Sequence, residues 1–599
     1  MVKGGNMCGV FAVLNDKKNN ASETVLQGLK KLEYRGYDSW GIALKKTQAV
    51  SKKSKILVEK HIGKIGQAKT VLPTGKIAIG HTRWATHGGV TDENAHPHLD
   101  CFGKIAVIHN GIVENYQDLK RQLLSLGHKF ASETDSEVIA HLIEEEKKKK
   151  DPKQAVFSAF QKLTGLNAIV VLDLADEAII SCRYGSPILI GVGSNEYFLA
   201  SDATPFLART NKVKFINDGE GIYLTKKGVS IYNLKTRKLI RRKTEIIDWK
   251  QEDIQKGGYP HFLLKEIMEQ KTTIPKTSTL NQQEIKALAN KIKKADKVII
   301  IGCGTAYYCA LAAKYFFSSV NINTQVYGAY EFLPFSKFCS SKTVVITISQ
   351  SGETADTLIA AKLAKNSKAF LAAVLNVSTS TLARLADISL KVGAGPEIAV
   401  VSTKAFTSQL STLYLLALAV AGKYKKAQKN INKLGKSLEK WLNKSLQVKI
   451  LKLAKSMQDK EDVYVIGKYE NYPAALEFAL KLKETSYIHA EAFASGELKH
   501  GVISLIQKDI PCVVLAANDK AKKEVLSSAM EIKARGGNII GIAPFNTSEF
   551  DETIKTPDVG ELTMFTNIIV GQLLGYFLGI GRGADPDKPR NLAKSVTVK

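Results

Sequence analysis

A chain of 599 residues is too long for one hydrophobic core, so its length predicts three or four domains. Its 44% hydrophobic and 24% charged residues are typical of a soluble globular protein and argue against a disordered or fibrous chain. The net charge of +28 comes from lysine spread along the chain without an aromatic-interleaved basic motif, so we expect neither a nucleic-acid nor a membrane partner.

The seven cysteines include no Cys-x-x-Cys pair, which argues against a disulfide framework and against a structural zinc site. We therefore expect a cytoplasmic location and no metal, and the sequence indicates no organic cofactor. The chain begins without an apolar signal region, and apolar runs such as 410–422 are shorter than a membrane-spanning helix requires.

The chain starts with MVKGGNMCGVFAVL, in which Cys8 directly follows a second methionine. If Met7 is removed, Cys8 has a free α-amine, and a thiol beside its own amine is a nucleophile–base pair. The alternative is that Cys8 opens a buried strand, because cysteine is often buried and five apolar residues follow from Val10. On this stretch alone, the buried strand is the favoured interpretation.

Up to about residue 245, short β-type runs alternate with few helices, which predicts a layered α+β domain with antiparallel sheets. The helices are predicted at 22–32 and 136–148. The β-type runs are KIAIG, KIAVIHNG, NAIVVLDL, SPILIGVG and GIYLTKKGVSIYNL. The polar stretch 241–262, with its Gly-Gly-Tyr-Pro turn, predicts a linker.

A histidine-rich motif, GHTRWATHGGVTDENAHPH, carries several candidate functional side chains within eighteen residues. These are His81, Arg83, Trp84, His87, His96 and His98. Four histidines so close together are compatible with a metal site, but their spacing fits none of the standard zinc patterns.

Two further motifs follow in the same region. VIHNGIVENY places Asn110 and Gly111 at a turn after a strand, where a side-chain amide and a backbone N–H can form an oxyanion hole. ASETDSEVIAHLI places Asp135 at a helix start. The competing explanation for Asp135 is structural, since Thr134 and Glu137 have the spacing of a capping box.

From about residue 280 onward, strands alternate with long helices, which predicts parallel α/β layers. The segments 297–317 and 462–482, 165 residues apart, share a strand, a glycine turn and an alanine-rich helix. We therefore predict two copies of one α/β domain, with a site where the copies meet. The lysine-rich segment 423–444 has the periodicity of a solvated amphipathic helix.

The first copy contains VVITISQSGETADTLIAAK, which predicts a strand, a hydroxyl-rich turn and a helix. The hydroxyls of Ser349, Ser351 and Thr354, together with backbone N–H groups at the helix start, would bind a phosphate. IIIGCGTAYY offers Thr305 as a donor at a second glycine-rich turn. Simple helix capping is the competing explanation. Neither turn has the dinucleotide or Walker pattern, so we expect no dinucleotide and no ATP.

Six segments resemble the N-terminal-nucleophile (Ntn) glutaminase domain of class II amidotransferases: CGVFAV, LEYRGYDSWGIAL, GHTRWATHGG, NAHPH, HNGIVENY and SETDSEVIAHL. Four more resemble paired sugar-isomerase (SIS) domains: SQSGETADTL, STKAFTSQL, ALKLKETSYIHAEAFASGELKHG and DKPRNLAKSVTVK. In this order they resemble the isomerizing glutamine–fructose-6-phosphate aminotransferase family, the glucosamine-6-phosphate synthases, over all but residues 1–6.

The resemblance implies a multidomain chain, with an α+β Ntn domain followed by two α/β SIS domains with parallel sheets. The implied bounds are 8–245 for the glutaminase domain, 246–280 for a linker, 281–425 and 450–590 for the SIS domains, and 591–599 for a tail that contributes to the active site. The implied reaction converts D-fructose 6-phosphate and L-glutamine to D-glucosamine 6-phosphate and L-glutamate, the first step of amino-sugar synthesis. Ammonia is channelled between the two sites, and the enzyme is a homodimer.

For the glutaminase, the resemblance implies Cys8 as nucleophile with its α-amine as base, and Asn110 and Gly111 as the oxyanion hole. An α-amine titrates near pH 8, so it can act as a base at neutral pH, whereas a peptide nitrogen cannot. The implied glutamine-binding set is Arg83 for the carboxylate, Asp135 for the amine, Trp84 as the ammonia gate, and Thr86 and His87 beside them.

For the isomerase, the resemblance implies that a phosphate site holds fructose 6-phosphate. Its members are Ser349, Gln350, Ser351 and Thr354, with Thr305 nearby. Ring opening is assigned to His500, which would reach the neighbouring subunit's site, and imine formation to Lys594, which must be partly desolvated to be neutral. Proton transfer between C1 and C2 is assigned to Glu484, with Lys481 close by, since a carboxylate can serve both carbons.

Three features depart from the family pattern. Ala306 stands where serine is common, which predicts weaker sugar-phosphate binding, and Val502 stands where proline is usual, which alters loop stiffness rather than chemistry. The third is the extension before Cys8, because an acylated Cys8 nitrogen cannot act as a base. Two alternatives therefore stay open: an ammonia-dependent isomerase with a silent glutaminase domain, and a non-catalytic sugar-phosphate-binding regulator.

Overall fold

The computed structural model describes residues 8–15, 20–45, 55–247 and 255–595. By its internal contacts the chain divides into two units. The first consists of Met1–Ile254 and Ala593–Lys599, and the second of Gln255–Leu592.

The described residues of the first unit form two antiparallel sheets and four helices. Its strands are β1 (Gly9–Asn15), β2 (Ser39–Lys45), β3 (Leu57–Ile62), β4 (Ile77–Arg83), β5 (His98–Leu99), β6 (Ile105–Gly111), β7 (Asn167–Asp173), β8 (Ala178–Tyr184), β9 (Leu189–Val192), β10 (Glu196–Ala200), β11 (Lys212–Phe215), β12 (Glu220–Thr225), β13 (Gly228–Asn233), β14 (Leu239–Ile240) and β15 (Glu245–Ile246). Its helices are α1 (Ala21–Leu32), α2 (Tyr116–Ser125), α3 (Glu137–Lys147) and α4 (Pro152–Phe160). One sheet has the order β15-β11-β9-β10-β1-β4-β2-β3, and the other has the order β14-β13-β12-β8-β7-β6-β5.

Side chains alternate between the two faces of each strand, so each sheet packs on both faces. The resulting four layers are α1, the two sheets, and the helices α2 to α4. In β1, Val10 and Leu14 pack with apolar residues of the second sheet, while Phe11 and Val13 pack against α1. The outer face of the second sheet is covered by α2, α3 and α4. The predicted layered α+β domain with antiparallel sheets is therefore confirmed.

The second unit contains two five-stranded parallel sheets. Its strands are β16 (Lys297–Gly302), β17 (Thr324–Gly328), β18 (Thr343–Ser349), β19 (Phe370–Leu375), β20 (Ile388–Lys391), β21 (Asp462–Gly467), β22 (His489–Ala494), β23 (Pro511–Leu515), β24 (Asn538–Ala543) and β25 (Glu552–Lys555). The sheet orders β17-β16-β18-β19-β20 and β22-β21-β23-β24-β25 follow the same pattern. The predicted pair of α/β copies is confirmed, and their first strands begin at Lys297 and Asp462.

Helices cover these sheets and join them. They are α5 (Phe262–Met268), α6 (Gln270–Lys276), α7 (Gln282–Lys293), α8 (Thr305–Ser318), α9 (Ala355–Asn366), α10 (Thr381–Leu385), α11 (Lys404–Val420), α12 (Tyr424–Trp441), α13 (Lys444–Met457), α14 (Asn471–Ser486), α15 (Lys522–Lys533) and α16 (Thr563–Gly581). One hydrophobic core runs through α8, α11, α14 and α16, so the two copies share their interior.

Glycines bring α16 unusually close to α14. A Cβ at Gly579 would lie 2.4 Å from the Thr485 carbonyl oxygen, and a Cβ at Gly571 would lie 2.5 Å from the Phe478 ring. Larger residues at these positions would push the helices apart. This close packing fixes α14, which carries the candidate isomerase residues described below.

Two sequence expectations need revision in this unit. The predicted linker 246–280 contains α5 and α6, whose Leu263 and Ile274 are buried in the shared core, while 248–254 lies outside the described residues. The stretch Gly560–Gly581, with a mean hydropathy of 1.4, is long and apolar enough to cross a membrane, unlike the run chosen from the sequence. Its window is 83% buried within the protein, which identifies it as a core helix.

Candidate active sites

Cys8 lies immediately before β1, beside the end of β4. The Trp84 N–H donates to Cys8 Sγ at 3.2 Å, and Asn110 Nδ2 donates to the Cys8 carbonyl oxygen at 2.9 Å. Burial raises the pKa of the Cys8 thiol to about 11, although the Trp84 N–H and the nearby Arg83 charge oppose that rise. The thiol is therefore protonated at neutral pH, and it needs a base before it can attack a carbonyl.

Asn110 is oriented by a histidine whose role the sequence analysis missed. His81 Nε2–H is shared between the His109 carbonyl oxygen at 2.9 Å and Asn110 Oδ1 at 3.2 Å, which turns the amide nitrogen toward Cys8. The next residue, Gly111, has φ +134, and a Cβ there would lie 2.0 Å from the Leu166 carbonyl oxygen, so only glycine fits. The structure thus places the Asn110 amide against the Cys8 main chain, with Gly111 next to Asn110 in the sequence.

Arg83 holds the loop that follows β4. Its guanidinium donates to the carbonyl oxygens of His87 at 2.6 Å, Gly89 at 3.0 Å and Gly88 at 3.2 Å. These bonds use three of the five guanidinium N–H groups. The predicted glutamine-carboxylate ligand is therefore also the side chain that shapes the loop carrying other predicted binding residues.

The predicted binding residues on this loop have different environments. Trp84 packs edge-on against Tyr37, with 5.1 Å between ring centroids, and His87 lies 5.4 Å from Tyr116. Thr86 is exposed. The Trp84 indole therefore packs against an aromatic ring, whereas the Thr86 side chain is exposed to solvent.

Asp135 is buried and accepts a hydrogen bond from the Val113 N–H at 2.7 Å. The competing capping-box explanation was wrong. Helix α3 begins at Glu137, the Thr134 hydroxyl bonds His98 Nε2 at 3.1 Å, and the Glu137 carboxylate accepts from the Ala131 N–H at 2.7 Å. Asp135 is thus held by a tertiary contact, and its charge acts on the Cys8 thiol.

Three histidines of the histidine-rich motif pack together in the interior. His81 and His96 lie 4.0 Å apart by ring centroids, and His96 and His98 lie 4.5 Å apart. Burial lowers the pKa of His81 to about 3 and lowers the pKa of His96 and His98 well below the usual value. These rings are neutral, and those of His81 and His98 accept or donate hydrogen bonds while His96 packs between them.

These histidines predict acid sensitivity of the first unit. Between pH 6.5 and about 4.5, the unfolded chain binds protons at these positions and the folded chain does not, so the free energy of unfolding falls as the pH falls. The expected loss is up to about 1.4 kcal/mol per pH unit for each histidine.

Urea unfolding at a series of pH values measures this effect. A Trp441→Phe background leaves tryptophans only in the first unit, at positions 40, 84 and 249, so tryptophan fluorescence follows the unfolding of that unit. The further change His96→Gln should reduce the slope of stability against pH. Stability that does not change across this window would contradict the assignment of neutral, buried histidines.

The predicted phosphate turn lies between β18 and α9 in the second unit. The Gly352 N–H donates to Ser349 Oγ at 3.0 Å, and the Glu353 N–H donates to Ser351 Oγ at 3.1 Å. Thr354 is the N-cap residue of α9, but its side chain makes no capping hydrogen bond. Helix capping therefore does not explain the Thr354 hydroxyl, which shares this turn with Gln350.

A cluster of three charged side chains on α14 contacts the start of α8, where the two copies pack together. Lys481 Nζ lies 2.5 Å from Glu484 Oε2 and 3.2 Å from Glu477 Oε1, and it donates to Thr305 Oγ1 at 3.1 Å. It also donates to the Ser402 carbonyl oxygen at 3.3 Å. The structure thus joins Thr305 of the first copy to Lys481 and Glu484 of the second.

Glu477 is the member of this group that the sequence analysis missed. Its side chain is fully buried, and burial raises the pKa of Glu477 to about 7, with Lys481 opposing. Burial also disfavours the charged Lys481, yet the two carboxylates raise its pKa to about 12. The available sequence signal was the spacing of Glu477, Lys481 and Glu484, which puts all three on one helix face.

The predicted ring-opening residue, His500, lies outside this group. His500 is exposed after the short turn Ser495–Lys499, and no hydrogen bond or ion pair among the described residues joins it to Glu484. Lys594 falls within Ala593–Lys599, which is assigned to the first unit. Ala306 lies in the first turn of α8, and Val502 packs, partly buried, against the core of the second copy.

Comparisons with known proteins follow the division seen in the structure. The SIS domain family matches residues 291–419 and 456–573, and the glutamine amidotransferase domain family matches residues 81–208. The isomerizing glutamine–fructose-6-phosphate aminotransferases of Thermococcus kodakarensis and Pyrococcus horikoshii are each 42% identical to this chain, over 99% of it and 100% of the relative. That of Aquifex aeolicus is 41% identical with the same coverage.

Solved structures match the second half of the chain. The C-terminal domain of glucosamine-fructose-6-phosphate aminotransferase from Francisella tularensis has 34% identity and a TM-score of 0.50, over 56% of this chain and 99% of that one. A putative tagatose-6-phosphate ketose/aldose isomerase from Clostridium novyi has 17% identity and a TM-score of 0.51, over 56% of this chain and 93% of that one. This likeness supports the fold alone.

Proposed function

The chain belongs to the family of isomerizing glutamine–fructose-6-phosphate aminotransferases, and from that premise we propose that its first unit releases ammonia from glutamine and its second unit uses it. The enzyme converts D-fructose 6-phosphate and L-glutamine to D-glucosamine 6-phosphate and L-glutamate. One observation supports the division: each unit holds its own reactive group, the Cys8 thiol in one and the Lys481 carboxylate pair in the other.

In the first unit, Cys8 Sγ attacks the side-chain amide carbon of glutamine. The α-amine of Cys8 accepts the thiol proton and passes it to the leaving ammonia, and water then hydrolyses the thioester to glutamate. Asn110 has a second amide N–H besides the one bonded to the Cys8 carbonyl oxygen, and with the Gly111 N–H it stabilises the oxyanion. Arg83 and Asp135 bind the charged ends of the glutamine.

In the second unit, the turn that holds Ser349, Gln350, Ser351 and Thr354 binds the sugar phosphate. By the family resemblance, His500 opens the ring, Lys594 of the C-terminal tail forms an imine at C2, and ammonia displaces the lysine. A carboxylate then moves a proton from C1 to C2. Glu484 is 19% exposed and Glu477 is fully buried, so Glu484 is the carboxylate that a substrate can reach, while Lys481 holds it in place.

We further place this enzyme in the cytoplasm as a homodimer, without a nucleic-acid or membrane partner. All seven cysteines are free, which suits a reducing compartment. The exposed His500 suits a role in a neighbouring subunit's site, as the family resemblance implies.

Transfer of labelled nitrogen tests the proposed function. Incubation with fructose 6-phosphate and amide-¹⁵N glutamine should give glucosamine 6-phosphate that carries ¹⁵N, as measured by mass spectrometry. Synthesis from ammonia but not from glutamine would favour the silent glutaminase, and saturable sugar-phosphate binding without product would favour the regulator. A reaction without fructose 6-phosphate is the control and should release only glutamate and ammonia.

The base assignment predicts a dependence on the N-terminus. A chain that starts at Cys8 should use glutamine, whereas a chain that retains the residues before Cys8 should make glucosamine 6-phosphate only from ammonia, because its Cys8 nitrogen is a peptide nitrogen. Intact-mass measurement of protein expressed from Met1 and from Met7, paired with both assays, checks this. Full glutamine use by a chain that keeps Met7 would contradict the α-amine as base.

A further inference from the structure

A second group of chemically reactive side chains lies in the first unit and takes no part in the mechanism above. It combines one thiol, two imidazoles and one carboxylate from three segments: the turn after β5, the loop after α2, and α3. Both histidines are buried and the carboxylate is largely buried. The four residues are Cys101, His128, His141 and Glu144.

The ligand atoms of this group are almost evenly spaced. Cys101 Sγ lies 3.5 Å from Nδ1 of both His128 and His141, and these two nitrogens lie 3.3 Å apart. Glu144 Oε2 lies 3.2 Å from His128 Nδ1 and 3.4 Å from His141 Nδ1. Zinc binds nitrogen and oxygen at about 2.0–2.2 Å and sulfur at about 2.3 Å, so the edges of its ligand tetrahedron measure about 3.3–3.8 Å. These five distances of 3.2–3.5 Å are close to the edges of that tetrahedron, and all four ligand atoms lie within 4.8 Å of one another.

The outer nitrogen of each histidine faces another carboxylate. His128 Nε2 lies 2.6 Å from Glu145 Oε1, and His141 Nε2 lies 3.6 Å from Glu137 Oε1. A proton on each Nε2 directed at these carboxylates leaves both Nδ1 atoms as lone pairs that converge with a sulfur and a carboxylate oxygen. Converging lone pairs repel each other, and a cation at their centre removes that repulsion. Carboxylates behind metal-bound histidines are the usual outer shell of zinc sites.

We propose that the first unit binds one structural zinc ion through Cys101, His128, His141 and Glu144. The mixed sulfur, nitrogen and oxygen set in a tetrahedron favours zinc over magnesium or calcium. The ion ties α3, which starts just after Asp135, to the turn after β5 and the loop after α2. This proposal goes against the sequence expectation of no metal, which rested on the absence of a short zinc spacing.

Metal analysis of the purified full-length chain tests the proposal. After incubation with zinc and removal of free metal, mass-spectrometric metal analysis should find one zinc per chain. Cys101→Ser should lose it, while Cys339→Ser, which changes a thiol in the second unit, should retain it. Cobalt added in place of zinc should give a sulfur-to-cobalt charge-transfer absorption that Cys101→Ser lacks.

An outer-shell variant keeps the test informative if Cys101→Ser does not fold. Glu145→Gln should weaken zinc binding about 10–100-fold in a competition titration with a chelator. Its neighbour provides a matched control, because Glu146 pairs with Lys150 and Lys162 rather than with a histidine, and Glu146→Gln should bind zinc like the unmodified chain. A chain that retains no zinc, or equal affinities in the Glu145 and Glu146 variants, would overturn the proposal and leave a hydrogen-bonded network around a protonated histidine.

Discussion

Replacement of Cys8 by alanine is expected to abolish glutamine-dependent synthesis of glucosamine 6-phosphate and leave ammonia-dependent synthesis intact. Removal of a catalytic nucleophile costs on the order of 10⁴–10⁶-fold in turnover. The sugar chemistry does not use the Cys8 thiol and needs only ammonia. Parallel assays with glutamine and with ammonium salt, read as glucosamine 6-phosphate, measure both activities in one preparation.

The control for Cys8→Ala is Cys339→Ala, which removes a thiol from the second unit and should keep both activities. Glutamine hydrolysis in the absence of sugar is a third measurement, and it should disappear only in the Cys8 variant. Continued glutamine use by Cys8→Ala would exclude this thiol as the nucleophile, and loss of the ammonia reaction as well would show that the variant is misfolded or that the units do not work independently.

Replacement of Glu484 by glutamine is expected to have the opposite effect. Synthesis from either nitrogen source should fall by about 10²–10⁴-fold, because an amide cannot accept the proton that moves between C1 and C2. Lys481 retains Glu477 as a partner, at 3.2 Å, so the buried ammonium is still paired and the fold should survive. Glutamine hydrolysis in the first unit should continue.

A carboxylate away from the group provides the control. Glu524 is 58% exposed and pairs with Lys468 on the surface, so Glu524→Gln should retain all activities. Proton exchange at C1 of the sugar phosphate in deuterated water separates chemistry from binding, since Glu484→Gln should bind the sugar but not exchange the proton. Equal loss of glutamine hydrolysis and synthesis in Glu484→Gln would contradict separate sites.

Much of the fold follows from local sequence patterns. The continuous apolar run that starts at Val10 predicts a buried strand, and the repeated strand, turn and helix at Lys297 and Asp462 predicts two related domains. The long amphipathic helix α12 was also predictable from its lysine spacing. These features depend on residues a few positions apart, where backbone geometry alone relates one side chain to the next.

The environment of each candidate residue depends on the tertiary structure. The motifs around Cys8 and Asn110 carry the glutaminase resemblance, but the hydrogen bond between these residues spans 102 positions, and His81 orients the amide from a third segment. Likewise Thr305 bonds Glu477 across 172 positions, because α8 packs on α14. Contacts between residues so far apart leave no periodic pattern in the sequence from which they could be predicted.

The sequence by itself determined the fold class, the repeat and the residue types available for two chemistries. Only the tertiary structure decided that α16 is a buried core helix, that Glu477 shares Lys481 with Glu484, and that four potential metal ligands converge on one point. The physical reason is that a strand or helix follows from neighbouring residues, whereas charge pairing, pKa shifts and ligand geometry follow from distances set by the packing of remote segments.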